Sequence, residues 1–380
     1  MPPPPGPIAR LDAIAHARQM VLHERADAGR GLIEPWIERS WQRCLAIGHE
    51  PLQPVTFEAV SAAAMRRARD ANHRLTQAAR PVLAELGRAL SATRYFAILT
   101  DARGVVVDVN GPIDRTDRRA DLITRVGVNL SEHCVGTTAI GAALNELQPV
   151  WLHRGEHFFR DTSSYSCAGA PLFGPWGECV GMLDLTGVDT PERPELKHLA
   201  AQSARMIENG LVLRQPHTLL LRLNWPGHRL GDDSDGLAGL DADGQVTTSN
   251  SAARAMLPLL GRAGAIEGTP THANELFALP VEQLFDAARR PDPFIALPLW
   301  SGLRLHALAA FATDTSASLA ALRASAPARP AKDGTHRLKD IETALIRKAV
   351  DDARGNVALA AQRLGVSRAT VYRKLGLPRS

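Results

Sequence analysis

Residues 337–380 read RLKDIETALIRKAVDDARGNVALAAQRLGVSRATVYRKLGLPRS, and their spacing predicts three short helices with a tight turn before the last. The first is expected over 338–353, where Leu338, Ile341, Leu345, Ala349 and Val350 form an apolar stripe that Gly355 ends. Asn356 is placed to cap a second helix whose inward positions are Val357, Ala360, Ala361 and Leu364. Gly365-Val366-Ser367 makes the turn: glycine accepts a positive φ, Val366 fills the angle between the helices, and Ser367 caps the third helix. In that helix Val371 and Leu375 point inward four residues apart, which leaves Ala369, Thr370 and Arg373 on the other side, with Lys374 near the edge. A thin outer face carrying a forked guanidinium is what a helix entering the major groove needs. Arg373 is the candidate for a guanine edge. Thr370 is a candidate for a base or a phosphate, and Arg368, Tyr372 and Lys374 for phosphates, which position the helix without specifying sequence. A plain helical cap or a dimerisation hairpin is the bland alternative. It leaves the paired basic side chains beside an exposed threonine unexplained.

Charge agrees with this reading. The 380-residue chain has a net charge of only +4, yet residues 331–380 hold 11 Lys/Arg against 5 Asp/Glu, so the remainder is slightly acidic. A compact basic end on a near-neutral protein fits a phosphate backbone as partner. The 4 cysteines, Cys44, Cys134, Cys167 and Cys179, form no C-x-x-C pair. The proline-rich start has no signal-peptide core, and no run of apolar residues is long enough for a membrane span. These features point to a soluble, cytoplasmic protein with reduced thiols and no membrane partner.

Working back from the C-terminus, residues 313–336 are rich in Ala, Ser, Pro and Lys and read as a linker. Residues 217–312 read as an α+β domain. Within it, GLAGLDADGQVTTSNSAARAML gives strand, Asp-Gly turn, strand and helix, capped by Asn250 or Ser251. FIALPLW and LRLHALAAFAT follow as strands joined at Ser301-Gly302. Residues 93–215 read as a second α+β domain. YFAILTDARGVVVDVNG makes a hairpin at Asp101-Ala102-Arg103-Gly104, later strands cover PVWLHRG, Ser166–Leu172 and ECVGMLDLTGV, and a helix covers Pro191–Leu213. Residues 1–92 are helical after a proline-rich start. Ile33, Trp36, Ile37 and Trp41 share one face, and Pro81 is expected to start or kink a helix. The fold class is therefore multidomain α+β with an all-α helix-turn-helix at the C-terminus.

The C-terminal segment resembles the factor-for-inversion-stimulation (Fis) type of helix-turn-helix found at the ends of bacterial enhancer-binding proteins. The resemblance assigns DNA contacts to Ser367, Arg368, Thr370, Arg373 and Lys374, and it implies a homodimer on two-fold half-sites. Residues 30–215 resemble the GAF sensory region of regulators of acetoin, glycerol and related alcohol catabolism. The motifs are Ser40-Trp41-x-Arg43-Cys44, Gly136-Thr137-Thr138-Ala139-Ile140-Gly141, Glu156-His157-Phe158, Ser166-Cys167-Ala168-Gly169-Ala170-Pro171 and Gly181-Met182-Leu183-Asp184-Leu185. Thr138 departs from the family's usual asparagine. Residues 217–312 resemble a PAS-type sensor at Asp241–Gln245 and Asn250–Ala253.

Polar side chains among small and aromatic ones make His133, Thr137, Thr138, Trp151, His157 and Cys167 candidates to line an effector pocket. The resemblance implies an alcohol or ketone as effector. For Thr137 and Thr138 a helix-start role is the competing reading, and for Cys167 a small buried residue. The spacing of His133, Cys134, His157 and Cys167 matches no compact zinc pattern, so neither metal nor cofactor is expected. Family members with this front and tail carry an ATPase domain between them. Here residues 313–336 stand in its place, without a Walker A loop. The expectation is a DNA-binding regulator without ATPase activity and not an enzyme. It would recruit RNA polymerase, occlude sites, or share sites with a full-length relative. A sensory or scaffold protein that acts by pairing with such a relative is the alternative.

Overall fold

The computed structural model describes residues 7–24, 26, 31–57, 60–263, 271–312, 346–350, 353, 356–364 and 366–375. They belong to two compact units, one drawn from 1–171, 181–204 and 335–380, the other from 172–180 and 205–334. The class is mixed α+β with two antiparallel sheets and a helical C-terminal segment, as the sequence led us to expect.

The first unit begins with helices α1 (Pro7–Arg18), α2 (Pro35–Ala46), α3 (Ala62–Ala71) and α4 (His73–Ala89). Its sheet contains β1 (Tyr95–Asp101), β2 (Val106–Asn110), β3 (Val150–His153), β4 (Tyr165–Phe173) and β5 (Cys179–Val188), in the order β2-β1-β5-β4-β3. Helices α5 (Arg118–Ile123), α6 (Glu132–Val135) and α7 (Ala139–Glu146) lie between β2 and β3 in sequence, and α8 (Leu196–Val212) follows β5. The β1–β2 hairpin is built by its own turn. Asp101 Oδ1 accepts from the backbone N–H groups of Arg103 and Val105, each at 2.9 Å, and Gly104 takes φ +79°. A Cβ at Gly104 would lie 2.9 Å from the Ser131 nitrogen, so only glycine fits there.

The N-terminal helices share a core with this sheet. Ile37 and Trp41 of α2 are fully buried in one cluster with Phe96 and Ile98 of β1, Leu152 of β3 and Met182 of β5. The predicted face of α2 is correct: Trp36, Ile37 and Trp41 are buried on it, and Ser40 and Cys44 are buried with them. Pro81 starts no element. Helix α4 runs through it, with the proline ring on the exposed side while Val82 and Leu83 turn inward.

The second unit's sheet contains β6 (Leu219–Asn224), β7 (Gly236–Leu240), β8 (Val246–Ser249), β9 (Phe294–Pro298) and β10 (Arg304–Phe311), in the order β8-β7-β6-β10-β9. Helix α9 (Ser251–Met256) is capped by Asn250, whose Oδ1 accepts from Ala253 N at 2.8 Å. Helices α10 (Pro258–Ala263), α11 (Ala273–Leu276) and α12 (Glu282–Ala288) precede β9. Strand β6 is the element that pattern reading passed over. As the central strand it is covered on both faces: Leu219, Leu221 and Leu223 enter one core cluster and Leu220 another. Its leucines therefore run together instead of alternating with polar residues.

In the C-terminal segment residues 346–350 are helical, followed by α13 (Val357–Leu364) and α14 (Arg368–Leu375). Ile346, Ala361, Leu364 and Val371 form its core. The expected stripe positions Leu338, Ile341 and Leu345 lie outside the described residues. Ile346 takes the inward place next to Ala349 and Val350.

Candidate functional site

One face of the first sheet, under the loops and helices that follow β2, closes around a cavity of about 30 Å³. Strand periodicity decides what faces it. In the β1–β5 register Ile98 stands opposite Asp184 and Phe96 opposite Thr186; in the β3–β4 register Leu152 stands opposite Cys167. Ile98, Tyr165, Cys167, Asp184 and Thr186 line the cavity from the sheet. Ile123, Leu130, Val135, Thr138, Ile140, His157 and Thr162 close it from the covering segments, with Phe57 at its wall. The volume admits one or two water-sized groups, so a larger occupant requires the cover to move outward.

Four polar side chains of this cavity, His157, Cys167, Thr186 and Asp184, form one relay. His157 is fully buried, and burial lowers its pKa to about 4, so the ring is neutral. Its Nδ1–H donates to the Arg154 carbonyl at 2.9 Å, which leaves Nε2 as acceptor for the Cys167 thiol at 3.5 Å. Burial, and then Asp184, hold the Cys167 thiol well above its usual range, so it stays protonated and is no nucleophile. The Thr186 hydroxyl lies 3.3 Å from Cys167 Sγ and also bonds Asp184 Oδ2. Asp184 is 1% exposed, and burial pushes its carboxyl up to about 7. Its other oxygen, Oδ1, is buried with no hydrogen-bond partner.

Of the six effector candidates, Thr138, His157 and Cys167 come together on the cavity. Thr138 also caps α7 through Gly141 N at 3.2 Å, so the helix-start and lining readings both hold for it. Thr137 does not line the cavity. It is completely buried against α2, with its hydroxyl 2.7 Å from Ser40 Oγ and 3.6 Å from Cys44 Sγ. Trp151 pairs with Ala168, one residue out of step with the Leu152–Cys167 pair, so its ring lies on the opposite face of the sheet from Cys167 and stacks near His153. His133 is exposed on α6, where its carbonyl accepts from His49 Nε2 at 2.8 Å. Among the described residues no group of three or more His, Cys, Asp or Glu is placed to hold a metal ion.

The Ser40-Trp41-x-Arg43-Cys44 motif now has a physical role. It clamps α2 onto the segments above the cavity. Arg43 bonds Glu132 through Nε at 2.6 Å and Nη2 at 2.9 Å, and reaches Glu146 at 3.1 Å. Ser40 donates to Glu132 Oε2 at 2.5 Å, and Trp41 Nε1 donates to the Glu156 carbonyl at 2.9 Å. From α1, Arg18 donates to the carbonyls of Gly155, His157 and Phe158 at 2.8, 2.5 and 2.9 Å, directly behind the cavity histidine.

The C-terminal segment has the capping its sequence implies. Asn356 Oδ1 accepts from Leu359 N at 3.1 Å, and Ser367 Oγ accepts from Thr370 N at 3.1 Å. The Thr370 hydroxyl lies 2.9 Å from Ser367 Oγ, and Val371 is fully buried. Arg368 is exposed, and Thr370, Tyr372 and Lys374 are half-buried on α14. Arg373 lies on the same helix, but its side chain falls outside the described residues.

Two comparisons bear directly on these two regions. Residues 26–209 match the family described as "MimR, N-terminal domain", and residues 337–376 match "Bacterial regulatory protein, Fis family". The acetoin catabolism regulatory protein of Cupriavidus necator is 31% identical over 261 residues, covering 66% of this chain and 37% of that protein. In both regions the chain is thus similar to transcription regulators of the acetoin type. The propane 2-monooxygenase operon transcriptional activator MimR of Mycolicibacterium goodii is 29% identical over 181 residues, 47% of this chain and 30% of the relative. The matches thus span about a third of the length of these transcription regulators. A solved structure, the E. coli DhaR(N)-DhaL complex, aligns with 72% of this chain and 99% of its own at 15% identity and TM-score 0.44. Among the described residues no helix is long and apolar enough to cross a membrane.

Asp184 and Thr186 are polar cavity residues outside the set that the sequence pointed to. Asp184 was visible as a letter of the Gly181–Leu185 motif. A charged residue in an otherwise apolar strand is the signal that could have marked it.

Proposed function

We propose that the chain is a sequence-specific DNA-binding transcription regulator that responds to a small-molecule effector and does not hydrolyse ATP. The capped α13–α14 pair at the basic end of the chain carries this reading. Its core is closed by Val371, and it falls in the Fis-family match. The DNA contacts are assigned to Ser367, Arg368, Thr370, Tyr372, Arg373 and Lys374. Ser367 acts mainly by holding the first turn of α14, Arg373 by reading a base edge, and the others by meeting phosphates. As a dimer the chain would place two such helices on half-sites related by two-fold symmetry.

Residues 93–215 are read as the GAF-like sensor and residues 217–312 as a PAS-like domain. Support for the sensor is the enclosed cavity on its sheet face, lined by Thr138, His157 and Cys167. The relatives' names mention acetoin catabolism and a propane 2-monooxygenase operon, which favours a small alcohol or ketone as effector. With residues 313–336 where an ATPase domain would stand, the regulator acts by occupancy or contact. It would recruit polymerase, block it, or share sites with a full-length relative.

The deciding experiment is a mobility shift on the DNA upstream of its own gene, with wild type and Arg373→Ala. Selective loss of that site over random DNA supports base reading. Equal loss on all DNA makes Arg373 a phosphate contact, and absence of any shift overturns the regulator reading in favour of a sensory scaffold. DNA-stimulated ATP turnover well above background would overturn the second half of the proposal.

A further inference from the structure

Asp184 is hard to explain as a structural residue. It faces Ile98 across the β1–β5 ladder, is 1% exposed, and sits in a cavity walled in part by Ile98, Ile123, Leu130, Val135 and Ile140. Oδ2 is bonded to Thr186 and the Leu185 backbone N–H also lies against the carboxyl, while Oδ1 is buried without a hydrogen-bond partner. Leaving a buried polar atom unsatisfied costs on the order of 1–3 kcal/mol, and such atoms are few in native proteins. A leucine here would avoid that cost.

The proton bookkeeping fixes which hydrogen bond is missing. The polar side chains that line the cavity with Asp184 are Thr138, His157, Thr162, Tyr165, Cys167 and Thr186, and none of them is a cation. The relay runs in one direction if the protonated Asp184 donates from Oδ2 to Thr186. Thr186 then donates to Cys167, Cys167 to His157 Nε2, and His157 Nδ1–H to the Arg154 carbonyl. Every donor in that chain is spent, and Oδ1 is left as a bare carbonyl-type acceptor. The atom needs a donor from outside the protein.

We propose that Asp184 is the polar anchor of the effector cavity, its Oδ1 accepting a hydrogen bond from the hydroxyl of a small uncharged alcohol whose carbon chain lies against Ile98, Ile123, Leu130 and Ile140. This rests on the effector reading above and sharpens it: the cavity selects a hydroxyl over the matching ketone. A carboxylate ligand is disfavoured because no cation lines the cavity to meet it. An ammonium is disfavoured because the Asp184 carboxyl holds its proton and the rest of the lining is uncharged.

The test is calorimetric titration of the full chain with butan-2-ol, butan-2-one, 3-hydroxybutan-2-one, lactate and isobutylamine. We expect butan-2-ol to bind at least about tenfold more tightly than butan-2-one, the scale of one buried hydrogen bond gained or lost. Asp184→Leu should abolish that preference. In the infrared difference spectrum, butan-2-ol should lower the C=O stretch of the protonated Asp184 carboxyl, a band missing from Asp184→Asn. This readout stands even if Asp184→Leu does not fold. Equal binding of alcohol and ketone, tighter binding of lactate or amine, or an unmoved carboxyl band overturns the proposal. Ile140→Trp, which fills the cavity, separates the two readings. If it abolishes binding while Asp184→Leu keeps the alcohol preference, only the anchor fails. If it leaves binding intact, the cavity is not the effector site and both fail.

Discussion

Arg43 holds Glu132 with two nitrogens, Nε at 2.6 Å and Nη2 at 2.9 Å, and so ties α2 to α6. Glu132 is 8% exposed and also accepts from Ser40, so its charge is neutralised inside the protein and not by water. Val135, at the other end of α6, lines the cavity. The clamp therefore positions part of the cavity cover.

Removing Arg43 should cost more than an ordinary surface ion pair. Arg43→Ala leaves a buried carboxylate facing only Ser40, and the half-exposed arginine moderates the loss to roughly 1–3 kcal/mol, below the range for fully buried pairs. Urea unfolding should show a lower midpoint for Arg43→Ala, and Glu132→Gln in the same chain should recover part of it by removing the stranded charge. An unchanged midpoint in Arg43→Ala would show that the clamp contributes nothing to stability.

The pH dependence of stability should carry two opposed contributions from the cavity. Asp184 keeps its proton in the folded protein up to about pH 7, whereas the free side chain loses it near 3.8. Between those values the folded state binds more protons, so stability falls as pH rises through the window. His157 does the reverse. Its folded pKa is about 4 against a free value of 6.5, so stability falls as pH drops through that interval. Asp184→Asn should flatten the loss toward neutral pH, and His157→Asn should flatten the loss toward acid. Unfolding curves taken across both intervals check this. If both variants parallel the wild type at every pH, neither group titrates as described.

Much of this was legible in the sequence, and the pattern of misses is physical. The Tyr95–Asn110 hairpin, β4, β5 and the buried face of α2 were readable locally, the hairpin from its Asp101–Gly104 turn and α2 from its 3.6-residue spacing. β6 is a short run of leucines that shows no alternation and could equally be part of a buried helix. Thr137 and Thr138 are adjacent and chemically identical, yet one locks α2 and the other lines the cavity. Only the approach to α7 separates them, and that is tertiary. Asp184 stands in the Gly181–Leu185 motif, but its isolation shows only with Ile98 opposite it in the register.

The β1–β2 turn gives a third prediction. Gly104 combines φ +79° with a 2.9 Å approach to the Ser131 nitrogen. Gly104→Ala meets both a left-handed backbone and a backbone clash, which together should cost on the order of 1–3 kcal/mol. Gly302 also has a positive φ, +83°, but a Cβ there meets open space. Gly302→Ala should therefore be the milder change. Thermal unfolding of the two variants should rank them in that order, and equal melting temperatures would mean that φ alone, not the approach to Ser131, sets the cost.

The last prediction separates holding α14 from using it. Ser367 Oγ accepts from the Thr370 N–H, sharing it with the Ser367 carbonyl, at the start of the helix. Ser367→Ala should cost about 1 kcal/mol of helix stability, the usual size of a lost cap. It adds or removes no charge, so the dependence of DNA affinity on salt should keep its slope while the affinity itself falls. Arg368 is exposed one residue further on. Arg368→Ala should leave the unfolding midpoint alone, weaken binding to all sequences alike, and reduce the magnitude of the salt slope by about 1, as expected for one lost phosphate contact. Fluorescence anisotropy over a salt series, paired with thermal melts, reads both quantities on the same samples. A changed slope in Ser367→Ala, or an unchanged one in Arg368→Ala, would reverse these assignments and place the phosphate contact at the cap instead.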